Sequence, residues 1–410
     1  MKAIKIKEGV KMLSNKKIGL FITGGIASYK MAEFARQLIK KGADVRVVMS
    51  KGAQEFITPL TMQILTKHHV LVDTFDEYDP SKVQHVELAD WCDLAIVAPA
   101  TANIIAKMAN GIADEIISTT LLAVHSPLLV VPAMNSNMLA HPATQRNLNQ
   151  LEADGVTVME PDIGFLAEGY EGKGRLPELE RMVEAAERVM ARHELPQILS
   201  GKTIVVTGGG TVERIDPVRY ITNDSSGKMG YAMARAANWL GAEVTLISTN
   251  QLLAVPDGVA VVYVESAQEM KQEVDALYDA VDYVVMAAAV SDYRTKTPHT
   301  HKMKKSDKQS DETVIELIEN PDILAGLGER KTHQTLIGFA AETQHVVEYA
   351  RGKLKSKNAD WIIANNVAQA GSGFNTDTNQ VTIISRETHL ELEQMTKLEV
   401  ALTVWQTIVS

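Results

Sequence analysis

One pattern, met twice, constrains this chain more than any other feature. A β-branched run enters a Thr-Gly-Gly turn, a helical stretch follows, and Gly-Ala-x-Val opens a second run. It reads "ITGGIAS…KKGADVRVVMS" in the first half and "VTGGGTV…WLGAEVTLIST" in the second. A strand that leaves a glycine turn into a helix opens a βαβ unit, and such units build parallel sheets covered on both faces. Further apolar runs recur at helix-sized intervals: "DLAIVAP" (93–99), "PLLVVPA" (127–133) and "GVTVME" (155–160), then "VAVVYVE", "DYVVMAAAV", "TVIELIE", "QTLIGFAA", "DWIIAN" and "QVTIIS". The expected fold is therefore α/β: two doubly wound, Rossmann-like domains with mainly parallel sheets. Helices are expected over Tyr29–Lys40, from Thr101, over Glu178–His193 and over Met229–Leu240. The boundaries read as an N-terminal extension 1–15, a first domain 16–194, a linker 195–201 and a second domain 202–410, which suits a chain of 410 residues.

Composition narrows the function. Apolar residues make up 45% and charged residues 22%, enough for real cores. A net charge of −10 argues against nucleic acid and anionic membrane as partners. One cysteine, Cys92, excludes an internal disulfide and suits a reducing cytoplasm. The N-terminus lacks the apolar segment of a signal peptide, and no apolar stretch reaches the ~18 residues of a membrane span. The expectation is a cytoplasmic protein.

The loops carry the chemistry. "TGGIAS" puts glycines where a helix N-terminus attracts phosphate, but a purely structural tight turn fits equally well. Neither glycine turn completes G-x-G-x-x-G, which disfavours a plain dinucleotide dehydrogenase. "APATANIIAKMANGIAD" (98–114) and "PAMNSNM" (132–138) each follow a buried strand with small residues and Thr or Asn. Small residues let amides approach a planar ring whose edge atoms hydroxyl and amide groups satisfy. Thr101 and Asn135 also read as helix N-caps. The eleven histidines show no zinc spacing, and "HTH" (299–301) lies in a charged loop. "GFLAEGYEGKGRLPE" (164–178) is too rich in glycine and charge for a helix or core strand, and reads as a flap.

These motifs carry a resemblance. "TGGIASYK", "HVELADW", "APATANIIAKMANGIAD", "PAMNSNM" and "GFLAEGYEGKGRLPE", in that order, resemble the flavin-dependent cysteine decarboxylases, a flavodoxin-like (HFCD) flavoprotein fold. "IDPVRYITNDSSGKMG", "AAAVSDYR", "KMKK", "NPDIL", "GFAAET" and "KLKSKNADWIIAN" resemble phosphopantothenoylcysteine synthetases. Together they cover nearly the whole chain and resemble the fused family of coenzyme A biosynthesis proteins, phosphopantothenate–cysteine ligase joined to phosphopantothenoylcysteine decarboxylase.

That resemblance implies two reactions. In the second domain the carboxylate of 4′-phosphopantothenate attacks CTP to give an acyl-cytidylate, from which cysteine displaces CMP, with Mg2+ accompanying the nucleotide. In the first, FMN-dependent oxidation of the thiol end precedes loss of the carboxylate, and the enethiol is then reduced. His85 becomes the base for thiol oxidation and Asn135 the clamp on the substrate carboxylate. Gly24, Gly25, Ser28, Ser50, Thr101 and Asn103 surround flavin and its phosphate. Lys302 and Asn223 become the ligase's catalytic pair, with Arg219, Asp292, Phe339, Lys353 and Lys357 around the nucleotide; Asn320 and Asp322 of "NPD" either approach the ribose or cap the next helix. The family pattern has cysteine as proton donor where this chain has Glu168. Either Glu168, its pKa raised under a closed apolar flap, donates the proton, or the decarboxylase stops at the enethiol beside an active ligase. A third reading is a flavin-binding regulatory subunit, which the presence of His85, Asn135, Asn223 and Lys302 opposes. The resemblance further implies a homo-oligomer, flavin domains as trimers and ligase domains as dimers, giving a dodecamer.

Overall fold

The structure, a computed structural model, describes residues 10–75, 79–304, 314–342, 346–366, 373 and 375–410. Residues 1–9 of the expected extension, Lys305 of "KMKK" and Thr343 of "GFAAET" lie outside them. The chain divides into two units, Lys11–Glu194 and Leu195–Ser410, the latter together with Val10.

The first unit holds five parallel strands, β1 (Lys17–Ile22), β2 (Asp44–Met49), β3 (Leu94–Ala100), β4 (Leu128–Pro132) and β5 (Thr157–Val158), in the order β2-β1-β3-β4-β5. Every residue of β3 is buried, as is all of β1 after Lys17. A strand covered on both faces cannot alternate, which is why these segments read as unbroken apolar runs. The order reverses between β1 and β3, so a crevice opens at their carboxyl ends, where doubly wound sheets bind ligands. A short hairpin, β6 (Asp162–Phe165) and β7 (Glu171–Arg175), follows. The helix Leu179–Glu194 then buries a stripe of Met182, Val183, Ala186, Val189 and Met190.

The second unit runs β8 (Thr203–Gly208), β9 (Val212–Arg214), β10 (Tyr220–Thr222), β11 (Glu243–Ser248), β12 (Ala260–Tyr263), β13 (Tyr283–Met286), β14 (Tyr293–Thr295), β15 (Leu317–Glu319), β16 (Thr335–Glu342), β17 (Trp361–Asn366), β18 (Thr378–Asn379), β19 (Val381–Ile384), β20 (His389–Glu391) and β21 (Met395–Thr396). Its main sheet has the order β12-β11-β8-β13-β16-β17-β19-β20. The first six strands are parallel, and β19 and β20 close the edge antiparallel. This is the dinucleotide-fold order with its reversal between β8 and β13. Helix Lys397–Val409 packs on helix Lys228–Trp239, where the buried Trp405 indole N–H donates to the Met233 carbonyl at 3.1 Å.

Several expectations shift. "TVIELIE" supplies β15, which pairs with β14 in a separate two-stranded sheet rather than entering the main one. The expected extension ends earlier than position 15, because Met12 and Leu13 are buried in the first unit. The expected linker packs on the second unit, where Leu199 joins the core. The helix expected from Tyr29 begins as a 3-10 turn, Ile26–Lys30, before Met31–Lys40.

Candidate active sites

At the carboxyl ends of β1, β2 and β3 lies a cavity of about 560 Å³. Gly24, Ser50, Thr101 and Asn103 line it, as the sequence reading expects; so do Thr23, Lys51, Gly52, Thr74 and Lys107, which that reading passed over. Ser50 and Thr101 cap helices, accepting from the amides of Ala53 at 3.2 Å and Ile104 at 3.4 Å. Capping and lining coexist, because an N-cap sits where a strand hands over to a helix. A Cβ on Gly24 would meet the Gly52 backbone at 2.8 Å, so this glycine answers first to loop packing. Gly25 and Ser28 stand apart from the lining. Ser28 is fully buried and donates to the carbonyls of Thr23 and Gly25 at 2.8 and 2.6 Å, which makes it a brace of the turn. Lys107 is held by Asp114 at 2.7 Å. The hydroxyls, the Asn103 amide and Lys51 form a donor set that fits a phosphate-bearing planar cofactor.

His85, Asn135 and Glu168 lie outside that lining. His85 opens the helix Gln84–Trp91, and its Nδ1 is buried with no hydrogen-bond partner. Asn135 caps the helix Ser136–Ala140 by accepting the Asn137 N–H on Oδ1 at 2.9 Å. This cap turns its Nδ2 outward, where it donates to Glu168 Oε1 at 3.0 Å and to the Tyr170 hydroxyl at 2.7 Å. The flap is thus a hairpin seated on the Asn135 loop. The Met134 N–H donates to the Gly174 carbonyl at 3.0 Å, and Gly174 has φ +135°. A Cβ there would meet Met134 O at 2.1 Å, and one on Gly172 would meet Ser136 Oγ at 2.2 Å. The glycines therefore permit close seating against this loop.

Glu168 departs from expectation. It is exposed, and the Asn135 hydrogen bond holds its carboxyl below the usual carboxylate range, where the sequence reading expected a raised value. Hydrogen bonding to the charged form outweighs burial when the turn leaves the group in solvent. Cys92 is buried behind the sheet, and burial pushes its thiol up to about 12, so it supplies no ready proton donor or nucleophile.

In the second unit, a cavity of about 470 Å³ opens beyond β13 and β16. Asp292, Asn320, Asp322 and Phe339 all line it. Asn320 is fixed by three contacts: its amide donates to Asp292 O at 2.8 Å, its Nδ2 to Ser291 O at 2.8 Å, and Arg294 donates to its Oδ1 at 3.2 Å. Asp322 caps the helix Ile323–Arg330 and pairs with Lys357. Lys353 is exposed and outside the lining. Phe339 also faces a smaller cavity of about 60 Å³ beside the start of helix Lys228–Trp239. There the sequence reading missed Lys228 and the buried Lys397, whose ammonium is pushed down to about 8 by burial first and by the Lys228 charge second.

Asn223 follows β10 and donates to Ala289 O at 3.2 Å, across the reversal between β8 and β13. Lys302 is exposed one residue before Met303. The Met303 carbonyl accepts from Arg219 at 2.9 Å, and its amide donates to Asp216 at 3.3 Å. Asp216, also missed in the sequence, is buried and pairs with Arg219, so one carboxylate ties the β9–β10 hairpin to the Lys302 loop. Among the described residues no group of three His, Cys, Asp or Glu converges as a metal site, and no helix is long and apolar enough to cross a membrane.

Residues 6–190 match the Flavoprotein family, and residues 199–410 match the DNA/pantothenate metabolism flavoprotein C-terminal domain. The chain is 49% identical over 399 residues to the coenzyme A biosynthesis bifunctional protein CoaBC of Bacillus subtilis, covering 97% of each. The chain belongs to the CoaBC family. To the CoaBC protein of Escherichia coli K12 it is 44% identical over 368 residues, 90% of each. A crystal structure of a CoaBC C-terminal domain is 46% identical with a TM-score of 0.45, covering 52% of this chain and 96% of its own. The enzyme is accordingly bifunctional, a flavoprotein decarboxylase domain followed by a ligase domain.

Proposed function

We propose that the CoaBC-type second domain joins cysteine to 4′-phosphopantothenate with CTP and Mg2+. The first domain then converts 4′-phosphopantothenoylcysteine to 4′-phosphopantetheine with FMN. The observation that carries the decarboxylase reading is Asn135: its cap leaves only the NH2 face for a ligand, and that face suits a carboxylate. Bound FMN supplies reversible two-electron chemistry. Around it Gly24, Ser50, Thr101 and Asn103 provide amide, hydroxyl and carboxamide contacts, and Gly25 and Ser28 shape the turn beneath. His85, with a ring nitrogen buried and unpartnered, takes the thiol proton. Because His85 and Asn135 lie outside the flavin cavity's lining, a site completed by a second copy is the natural arrangement, in keeping with trimers assembled into a dodecamer.

In the ligase, Phe339, Asp292, Asn320 and Asp322 receive the nucleoside. Lys302, on a loop pinned through Arg219 and Asp216, meets the charge that develops at the α-phosphate. Lys353 and Lys357 meet the outer phosphates, and Lys357 must first leave Asp322. Asn223 orients the acyl-cytidylate. Mg2+ would accompany the nucleotide, since a hard cation of this kind is usually held by substrate phosphates together with one or two carboxylates, and Asp292, Glu319 and Asp322 line the cavity. The setting is the cytoplasm.

The test is product mass. Full-length FMN-loaded protein given CTP, Mg2+, cysteine and 4′-phosphopantothenate yields 4′-phosphopantetheine. A product lighter by two hydrogens (~2 Da), with flavin left reduced, would contradict full conversion. Asn135→Ala removes a hydrogen bond to a charged group and lowers affinity for the carboxylate substrate by about 10- to 100-fold.

A further inference from the structure

Asn135 has no donor to spare. One Nδ2 hydrogen goes to Glu168, the other to the Tyr170 hydroxyl, and Oδ1 is occupied by the Asn137 amide. A carboxamide has two N–H donors, so a ligand reaches Asn135 only by displacing one of its present partners. One of those partners is itself a carboxylate. We propose that Glu168 is a specificity-determining residue that occupies the substrate-carboxylate position when the site is empty and is displaced by a carboxylate-bearing ligand. This inference rests on reading Asn135 as the carboxylate clamp.

The surroundings favour displacement of Glu168 over Tyr170. The cations of the flap and its neighbouring helix are already engaged: Lys173 pairs with Glu160, Arg175 with Glu178 and Arg181 with Asp162. Glu168 is therefore held by a neutral amide instead of an ion pair. An arriving carboxylate repels it at short range and leaves the phenol of Tyr170 undisturbed. The turn that presents Glu168 is fixed by backbone alone, with the Leu166 N–H on Tyr170 O at 2.9 Å, the Gly169 N–H on Leu166 O at 3.0 Å, and Gly169 at φ +90°. Glu168 can swing away without dismantling the hairpin. When the carboxylate leaves as CO2, Asn135 is vacated and Glu168 returns to it, while a ligand without a carboxylate makes no demand on Asn135.

Two unreactive probes test this by calorimetry on full-length FMN-loaded protein: 4′-phosphopantothenoylalanine, with the carboxylate but no thiol, and its N-ethylamide counterpart without the carboxylate. Glu168→Ala binds the carboxylate probe about three- to tenfold tighter than wild type and leaves the N-ethylamide unchanged. Glu168→Gln, whose carbonyl still accepts from Asn135 without the repelling charge, falls at or near wild type. Equal or weaker binding of the carboxylate probe to Glu168→Ala overturns the proposal, as does an equal change for both probes, which would mark a purely structural effect. Asn135→Ala separates the two readings. If it weakens the carboxylate probe while Glu168→Ala gains nothing, the proposal alone fails; if it has no effect, the clamp reading fails with it.

Discussion

Buried beside the β9–β10 hairpin, Asp216 accepts hydrogen bonds from the amides of Val218, Arg219 and Met303 and from the Arg219 guanidinium. Burial, the largest influence on this carboxyl, would raise its pKa; the Arg219 side chain and the three amides more than offset it and hold it well below the usual range. A carboxyl depressed in the folded state contributes stability above its unfolded pKa and loses it as the pH falls through the folded value. Asp216→Asn should thus lower the second domain's thermal midpoint by a few degrees at neutral pH. The gap to wild type should stay constant down to about pH 5 and narrow below roughly pH 4, which calorimetric scans across that range would read. Ligase kcat/KM should fall with the loosened Lys302 loop, while decarboxylation of supplied 4′-phosphopantothenoylcysteine stays at the wild-type rate. Asp216 could not be picked out in the sequence: its partner Met303 is 87 residues away, and an Asp before a Pro reads as ordinary turn chemistry. Lys397 escaped for the same reason, being a lysine at the start of a helix that the fold happens to bury.

The flap hairpin, β6 and β7, owes its place to small residues and not to its own pairing. The extended backbone of β7 touches the Asn135 loop where any Cβ at Gly172 or Gly174 would collide. Gly174→Ala adds a left-handed φ to that collision, so the strand must lift from Met134. Decarboxylase kcat/KM should drop about 100-fold, the cost of moving a positioning element by about 1 Å, with ligase rate and global unfolding unchanged. An unchanged decarboxylase would show that the seated flap has no part in turnover. At this scale the strands of both main sheets were legible except the edge strand β20, because burial on two faces forbids alternation and leaves apolar runs, whereas His389–Glu391 is exposed throughout. The caps at Thr101 and Asn135 were legible too, from residue type at a strand-to-helix junction. The hairpin was half legible: glycine and charge excluded a helix, but not which loop the strand would meet. "TVIELIE" misled because its apolar run matches a core strand, and only its partner β14 shows that it lies apart.

On the scale of the molecule, the chain carries two main sheets, each with its own reversal of strand order and its own cavity at the carboxyl ends. This much followed from the repeated glycine-turn pattern, since each repeat begins a sheet of its own. Two sites without shared residues should fail separately. Lys302→Gln should lower CTP-dependent ligation by about 100- to 1,000-fold, while supplied 4′-phosphopantothenoylcysteine is still decarboxylated at the wild-type rate. Mixed in solution with His85→Asn, it should restore 4′-phosphopantetheine formation from the starting materials. The most direct measurement is the product mass from FMN-loaded His85→Asn given CTP, Mg2+, cysteine and 4′-phosphopantothenate. 4′-Phosphopantothenoylcysteine should accumulate at the wild-type ligation rate, with decarboxylation slowed about 100- to 10,000-fold. Loss of ligation in the same variant, or 4′-phosphopantetheine formed at the normal rate, would contradict this expectation.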